Sequence, residues 1–142
     1  MQFNLIIVGD EILHGTRADA HFAFFKQTLA DCGFKLRSVT YLPDDEAILV
    51  QHFQRSFADS IATFVTGGIG ATPDDFTRQA VAKALDLPLI LHPEAAEIIK
   101  QLTLARGDSL DSAEHQQRLN LARFAEGVDL IPNPYNSVAG FS

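Results

Sequence analysis

A chain of 142 residues is the length of one domain, long enough to bury roughly two thirds of the surface its unfolded form would expose. With 46% hydrophobic and 20% charged residues it excludes a disordered tail or a fibre, and a formal charge of −7 with a pI near 5.0 argues against nucleic acid, whose phosphates demand clustered Lys and Arg. The single cysteine, Cys32, excludes an internal disulfide and a Cys-pair metal site and reads as a small core residue. The apolar N-terminus lacks a charged leader and is too short to span a bilayer, so a cytoplasmic protein with no membrane partner is expected.

The elements read in chain order as follows. Phe3 to Val8 is a continuous apolar run ending at Gly9-Asp10, the signature of a central parallel strand buried on both faces. From Asp19, apolar residues at Phe22, Phe25, Leu29 and Cys32 keep helical spacing until Gly33 supplies a left-handed stop. Phe34 to Tyr41 alternates as a strand, and Pro43-Asp44-Asp45-Glu46 then places carboxylates at the start of a helix reaching about Ala58. Ile61 to Val65 is a third strand. It enters a Gly-rich loop and a helix predicted from about Pro73 to Leu85, with Thr72 as N-cap, Pro73 at the first position and Asp75 closing a capping box. Two further helices are expected beyond Pro93, separated by the turn Arg106-Gly107-Asp108-Ser109, and then a short strand over 128–131. Three successive strand-helix units imply an α/β fold with a mostly parallel, doubly wound sheet. The segment after Asn133 reads as unfinished, so 1–142 is expected to be one domain truncated at its C-terminal end, with this segment poorly ordered or differently paired.

Open parallel sheets bind ligands beyond the C-terminal ends of their strands, which here carry Gly9-Asp10-Glu11 and Thr66-Gly67-Gly68-Ile69-Gly70-Ala71-Thr72-Pro73-Asp74-Asp75. The glycines let a ligand approach the backbone, and the helix that follows offers unpaired N–H groups to an anion, so a phosphate suits this loop. It is neither a Walker loop nor a dinucleotide fingerprint. Asp10 reads as a functional carboxylate that either accepts hydrogen bonds from the edge of a pterin or guanine or holds Mg²⁺. Asp75 is either a cap or a ligand residue, Asp74 is a solvated carboxylate, and Asp19 is either an N-cap or part of the same crevice. The five histidines lack zinc-site spacing and read as surface residues, no Gly-x-Ser-x-Gly elbow exists, and the eleven phenylalanines read as core or subunit contact.

The ordered set Gly9-Asp10-Glu11-Ile12-Leu13-x-Gly15, Asp19, and Thr66-Gly67-Gly68-Ile69-Gly70-x-Thr72-x-Asp74-Asp75-x-Thr77 resembles the molybdopterin-binding domain of molybdenum cofactor biosynthesis proteins, nearest to the N-terminal domain of the CinA (competence/damage-inducible) type. The similarity runs from Leu5 through the helix after Asp75, weakens towards Glu126-Gly127 and returns at Asn133-Pro134. The resemblance implies a three-layer α/β/α fold, homo-oligomerisation, and a small phosphorylated pterin or nucleotide such as molybdopterin as ligand. It further implies a CinA-type activity, Mg²⁺-assisted cleavage of a dinucleotide pyrophosphate such as ADP-ribose. Asp10 and Asp75 would then be the catalytic and metal-binding residues, with Gly9, Asp19, Thr66, Gly67, Gly68, Gly70, Thr72 and Asp74 lining the ligand. Relatives of this type carry Gly-Thr-Ala-Pro-Gly-Phe after Asn-Pro, whereas this chain reads Asn136-Ser137-Val138-Ala139-Gly140-Phe141. That departure favours the alternative of a non-catalytic binding or oligomerisation module, and amide hydrolysis, the task of a separate CinA domain, is not expected.

Overall fold

The computed structural model describes residues 1–142. The central strand is β1 (Gln2–Val8), flanked in parallel by β2 (Lys35–Leu42) and β3 (Thr63–Thr66), so the sheet order is β2-β1-β3. The apolar run predicted as the central strand occupies that place: Leu5 to Val8 are all buried. Alternation along β1 divides the core between two faces. Ile6 and Val8 pack with Leu49 and Phe53 of α3 (Glu46–Ala58) and Ala80 and Val81 of α4 (Thr77–Ala84). On the other face, Phe3 meets the rings of Phe34 and Phe64, and Phe64 meets Phe25 of α2 (His21–Asp31). Helices therefore cover both faces of a mostly parallel sheet, the α/β class expected.

Local chemistry sets the element boundaries. A four-residue helix, α1 (Asp10–Leu13), follows β1 directly. The α2 helix ends in a Schellman turn, with Gly33 at φ 76° and the amides of Gly33 and Phe34 donating back to Ala30 and Leu29. Asp45 caps α3 by accepting from the amide of Ile48 at 3.0 Å. Pro93 opens α5 (Pro93–Ala105), and Ser112 caps α6 (Ala113–Arg118), whose 3₁₀ continuation covers Leu119–Ala122. The 106–109 turn contains Gly107 at φ 78°.

Several expectations need correction. The helix after the Gly-rich loop starts at Thr77, not Pro73, because residues 72–75 close a separate turn. Two three-residue strands went unpredicted, β4 (Leu89–Leu91) and β5 (Arg123–Ala125), which pair antiparallel. The segment after Asn133, expected to be poorly ordered or differently paired, does pair: β6 (Leu130–Ile131) runs antiparallel to β7 (Gly140–Phe141), and the amides of Asp129 and Ser142 exchange bonds of 3.0 and 2.9 Å. Cys32 is exposed rather than core, since it follows the last turn of α2. His115 is buried, not on the surface. Its Nδ1 lies 2.8 Å from the Oγ1 of fully buried Thr103, which also accepts from Arg118. Among the phenylalanines only Phe53 and Phe124 are fully buried, while Phe22, Phe24, Phe57 and Phe64 remain exposed.

Candidate functional site

The carboxyl ends of β1 and β3 meet in a close backbone approach. Gly67, at φ 89°, lies so near β1 that a Cβ there would overlap the carbonyl oxygen of Val8. Gly68, at φ 64°, leaves room only for the Thr77 hydroxyl, and a Cβ at Gly70 would come within 2.5 Å of the Asp75 carboxylate. The Gly-rich loop is thus seated on the end of β1, next to Gly9 and Asp10, as the crevice reading requires.

Two long-range ties build the mouth. The amide of Gly9 donates to the carbonyl of Leu42 at 3.0 Å, joining it to the end of β2. Asp10 and Asp44 then exchange bonds, the Asp10 amide donating to Asp44 Oδ2 at 2.9 Å and the Asp44 amide to Asp10 Oδ1 at 3.2 Å. One oxygen of each carboxylate keeps no protein donor. Burial pushes the Asp44 carboxyl above its ordinary value, and the negative charges of Asp10, Glu11 and Asp74 add to the rise although the Asp10 amide opposes it. Asp44 is a candidate site residue that the sequence did not single out; it read only as a charge at a helix start, 34 residues from its partner.

Asp19 is engaged by protein donors. It accepts from the amides of His21 at 2.7 Å and Phe22 at 3.3 Å and from the Tyr41 hydroxyl at 2.7 Å, so it acts as a helix-start acceptor tied to the end of β2. Burial raises its pKa, but the bond from Tyr41 and those from the two amides outweigh it, and the net shift is downward. The Thr66 hydroxyl, at the end of β3, is buried without a partner.

The 72–75 turn replaces the predicted cap. The amide of Asp75 donates to the Thr72 carbonyl at 3.1 Å, and the Thr72 amide donates to Asp75 Oδ2 at 3.0 Å, with Pro73 at the position that suits its fixed φ. The Thr72 hydroxyl sits 2.5 Å from both Asp74 Oδ1 and Asp75 Oδ2, yet has one proton to give, so the two carboxylates compete for it. That hydroxyl and its own amide hold Asp74, which is exposed, below the ordinary carboxylate value.

Beneath the loop the buried residues Thr77 and Arg78 hold its carbonyls. Thr77 Oγ1 donates to the carbonyl of Gly67 at 2.8 Å, its amide to that of Gly68 at 3.0 Å, and the Arg78 guanidinium donates to those of Ile69 and Gly70. Burial pulls the guanidinium pKa down, with the nearby Asp75 charge acting against it. The amides of Gly67, Gly68, Ile69, Gly70 and Ala71 donate to no acceptor in the chain. A run of free amides next to a pair of half-used carboxylates can bind an anion on one side and a cation or polar ring edge on the other.

No group of three or more His, Cys, Asp or Glu side chains is arranged to hold a metal ion. Mg²⁺ commonly takes only one or two carboxylates with ligand phosphates completing its shell, and the crowded charge around Asp10 and Asp44 is what a cation would relieve.

Comparison with known proteins places the chain in a family. The family model described as "Probable molybdopterin binding domain" matches residues 4–122. A CinA-like protein of Thermomicrobium roseum is 31% identical over 137 residues, covering 96% of this chain and 33% of the relative. The crystal structure of the protein CinA from Thermoplasma acidophilum superposes with a TM-score of 0.83 at 26% identity, over 99% of this chain and 80% of that one. A molybdopterin biosynthesis protein from Mycobacterium abscessus gives 0.54 at 26% identity, over 75% and 65%. The chain spans between 31% and 50% of the length of the curated relatives it matches. By the extent of the match and by the shared fold, the chain belongs to the molybdopterin-binding domain family, with CinA-like proteins among its relatives.

Proposed function

We propose that this domain binds a small phosphorylated pterin or nucleotide, molybdopterin-like in class, with a phosphate on the loop amides of residues 67–71 and the rest of the ligand against the Gly9-Asp10 mouth. The single observation that carries this is the run of unpaired amides seated on the end of β1. Asp10, Asp19, Thr66, Thr72, Asp74 and Asp75 are the further candidate contacts. Asp10 and Asp44 would hold Mg²⁺, and the free oxygen of Asp75 is a further candidate ligand for it. When bound, the ion supplies neutralisation of phosphate charge.

The finer reading is CinA-type hydrolysis of a dinucleotide pyrophosphate such as ADP-ribose. Water adds to one phosphorus, the bridging P–O–P bond breaks, and AMP and ribose 5-phosphate leave, with a carboxylate taking the water proton. Developing charge on the phosphoryl oxygens would be met by the loop amides. Incubation with ADP-ribose and Mg²⁺ tests the reaction: AMP should accumulate and chelation should stop it, while unchanged ADP-ribose at saturating protein would refute hydrolysis. A non-catalytic binding module is favoured by one observation, the engagement of Asp75 Oδ2 within its own turn.

The exposed rings of Phe22, Phe24, Phe57 and Phe64 support a homo-oligomer, which light scattering at micromolar concentration should detect. A cytoplasmic protein with no nucleic-acid partner fits the acidic charge. No helix is long and apolar enough to cross a membrane.

A further inference from the structure

We propose that Arg78, together with Thr77, is the positioning residue that turns the Gly-rich loop into an anion cradle by fixing the orientation of four consecutive peptide groups. This rests on the phosphate reading above and names the atoms that would carry it.

The chain contains no cis peptide bond, and in a trans peptide the C=O and the following N–H point in opposite directions. The carbonyls of Gly67 and Gly68 are held by Thr77, and those of Ile69 and Gly70 by the two arms of the Arg78 guanidinium. The amides of Gly68, Ile69, Gly70 and Ala71 are therefore directed away from that clamp, and none of them has an acceptor in the chain. Positive φ at Gly67 and Gly68 permits the loop path that puts all four carbonyls on one side.

Arginine suits the task for two reasons. Its planar fork reaches two carbonyls at once, which a lysine ammonium on a single flexible stem does not do with the same geometry. It is also a buried charge, 2% exposed, packed with its Cζ 6.0 Å from the Phe124 ring centroid, and it forms no ion pair. A buried cation without a paired carboxylate is an expensive way to stabilise a turn. It gains a purpose when an anion arrives on the opposite side of the peptide groups it polarises, since hydrogen bonds through a shared group strengthen one another.

The test uses the whole ¹⁵N-labelled chain and inorganic pyrophosphate, followed by amide resonances. In the wild type the amides of Gly68, Ile69, Gly70 and Ala71 should shift together with one dissociation constant. In Arg78→Lys, affinity should fall about tenfold or more, the shifts at Gly70 and Ala71 should be lost, and those at Gly68 and Ile69, held by Thr77, should persist in part. A folded Arg78→Lys protein with wild-type affinity and the same four shifts would overturn the proposal. If that variant does not fold, the wild type alone decides: saturation with Gly70 and Ala71 unmoved overturns the role of Arg78 while leaving the phosphate site standing. Absence of any pyrophosphate or ADP-ribose binding to the wild type would overturn both.

Discussion

Replacing Gly67 by alanine tests whether the close approach of the loop to β1 is real. Two costs combine at this position. A non-glycine residue at φ 89° loses about 1–2 kcal/mol through left-handed backbone strain. The new methyl would also overlap the carbonyl oxygen of Val8, which is backbone and cannot rotate away, so the loop must lift and give up contacts such as the Thr77 bond to Gly67, at about 1–3 kcal/mol for a buried group left unpaired. Gly107 is the control, because its φ of 78° is similar and nothing lies within 4 Å of an added Cβ. Gly107→Ala should therefore cost only the strain, about 1–2 kcal/mol, and Gly67→Ala about 2–5 kcal/mol in total. Urea unfolding of both variants with unchanged m-values gives the comparison directly. Losses equal within about 0.5 kcal/mol would show that the loop does not touch β1.

Three other substitutions probe separate parts of the account. Asp44→Asn keeps an acceptor for the Asp10 amide and removes the crowded charge. Because the folded pKa of Asp44 is raised, its favourable contribution is present below the ordinary value of 3.8 and is lost as pH rises through the folded value. The variant should thus gain on the wild type in stability near neutral pH, and show no gain in acid, by thermal unfolding across pH. Tyr41→Phe removes a donor from Asp19 and should cost about 0.5–1.5 kcal/mol at neutral pH. The lowered pKa of Asp19 gives stability that is present above 3.8 and lost as pH falls through its folded value, so the difference should shrink in acid. Thr103→Val strips the buried hydroxyl from His115 and Arg118 and should destabilise by about 1–3 kcal/mol, with no change in ligand affinity.

What the sequence made legible were features whose cause is local. The apolar run of β1, the glycine stop at Gly33 and the carboxylates at the start of α3 each declare themselves within a few residues, and all three stand where expected. The close approach of the Gly-rich loop to the end of β1 was also foreseeable, since parallel topology brings strand ends together. What escaped depends on long-range contact. Asp44 meets Asp10 only when the ends of β1 and β2 align, and Arg78 looks like an ordinary helix cation until the loop folds over it. The pattern Thr72-x-x-Asp75 satisfies a helix cap and a free-standing turn equally well, and the carbonyl clamp at Thr77 and Arg78 decides for the turn. Strands β4 and β5, three residues each, are too short for any periodicity to register, and His115 sits among polar neighbours that conceal its burial.

The most direct test of the central claim is a thermal-shift comparison of ADP-ribose and molybdopterin with the phosphate-free adenosine, each with and without Mg²⁺. Binding to the folded state at a hundredfold excess over Kd adds about 2.7 kcal/mol of stability, which for a chain of this size raises Tm by roughly 5–15 °C. The account predicts a rise with at least one phosphate-bearing ligand, little or none with adenosine, and loss of the rise in folded Gly67→Ala protein. Equal shifts with adenosine, or no shift with either phosphorylated compound, would contradict a phosphate site on the loop amides.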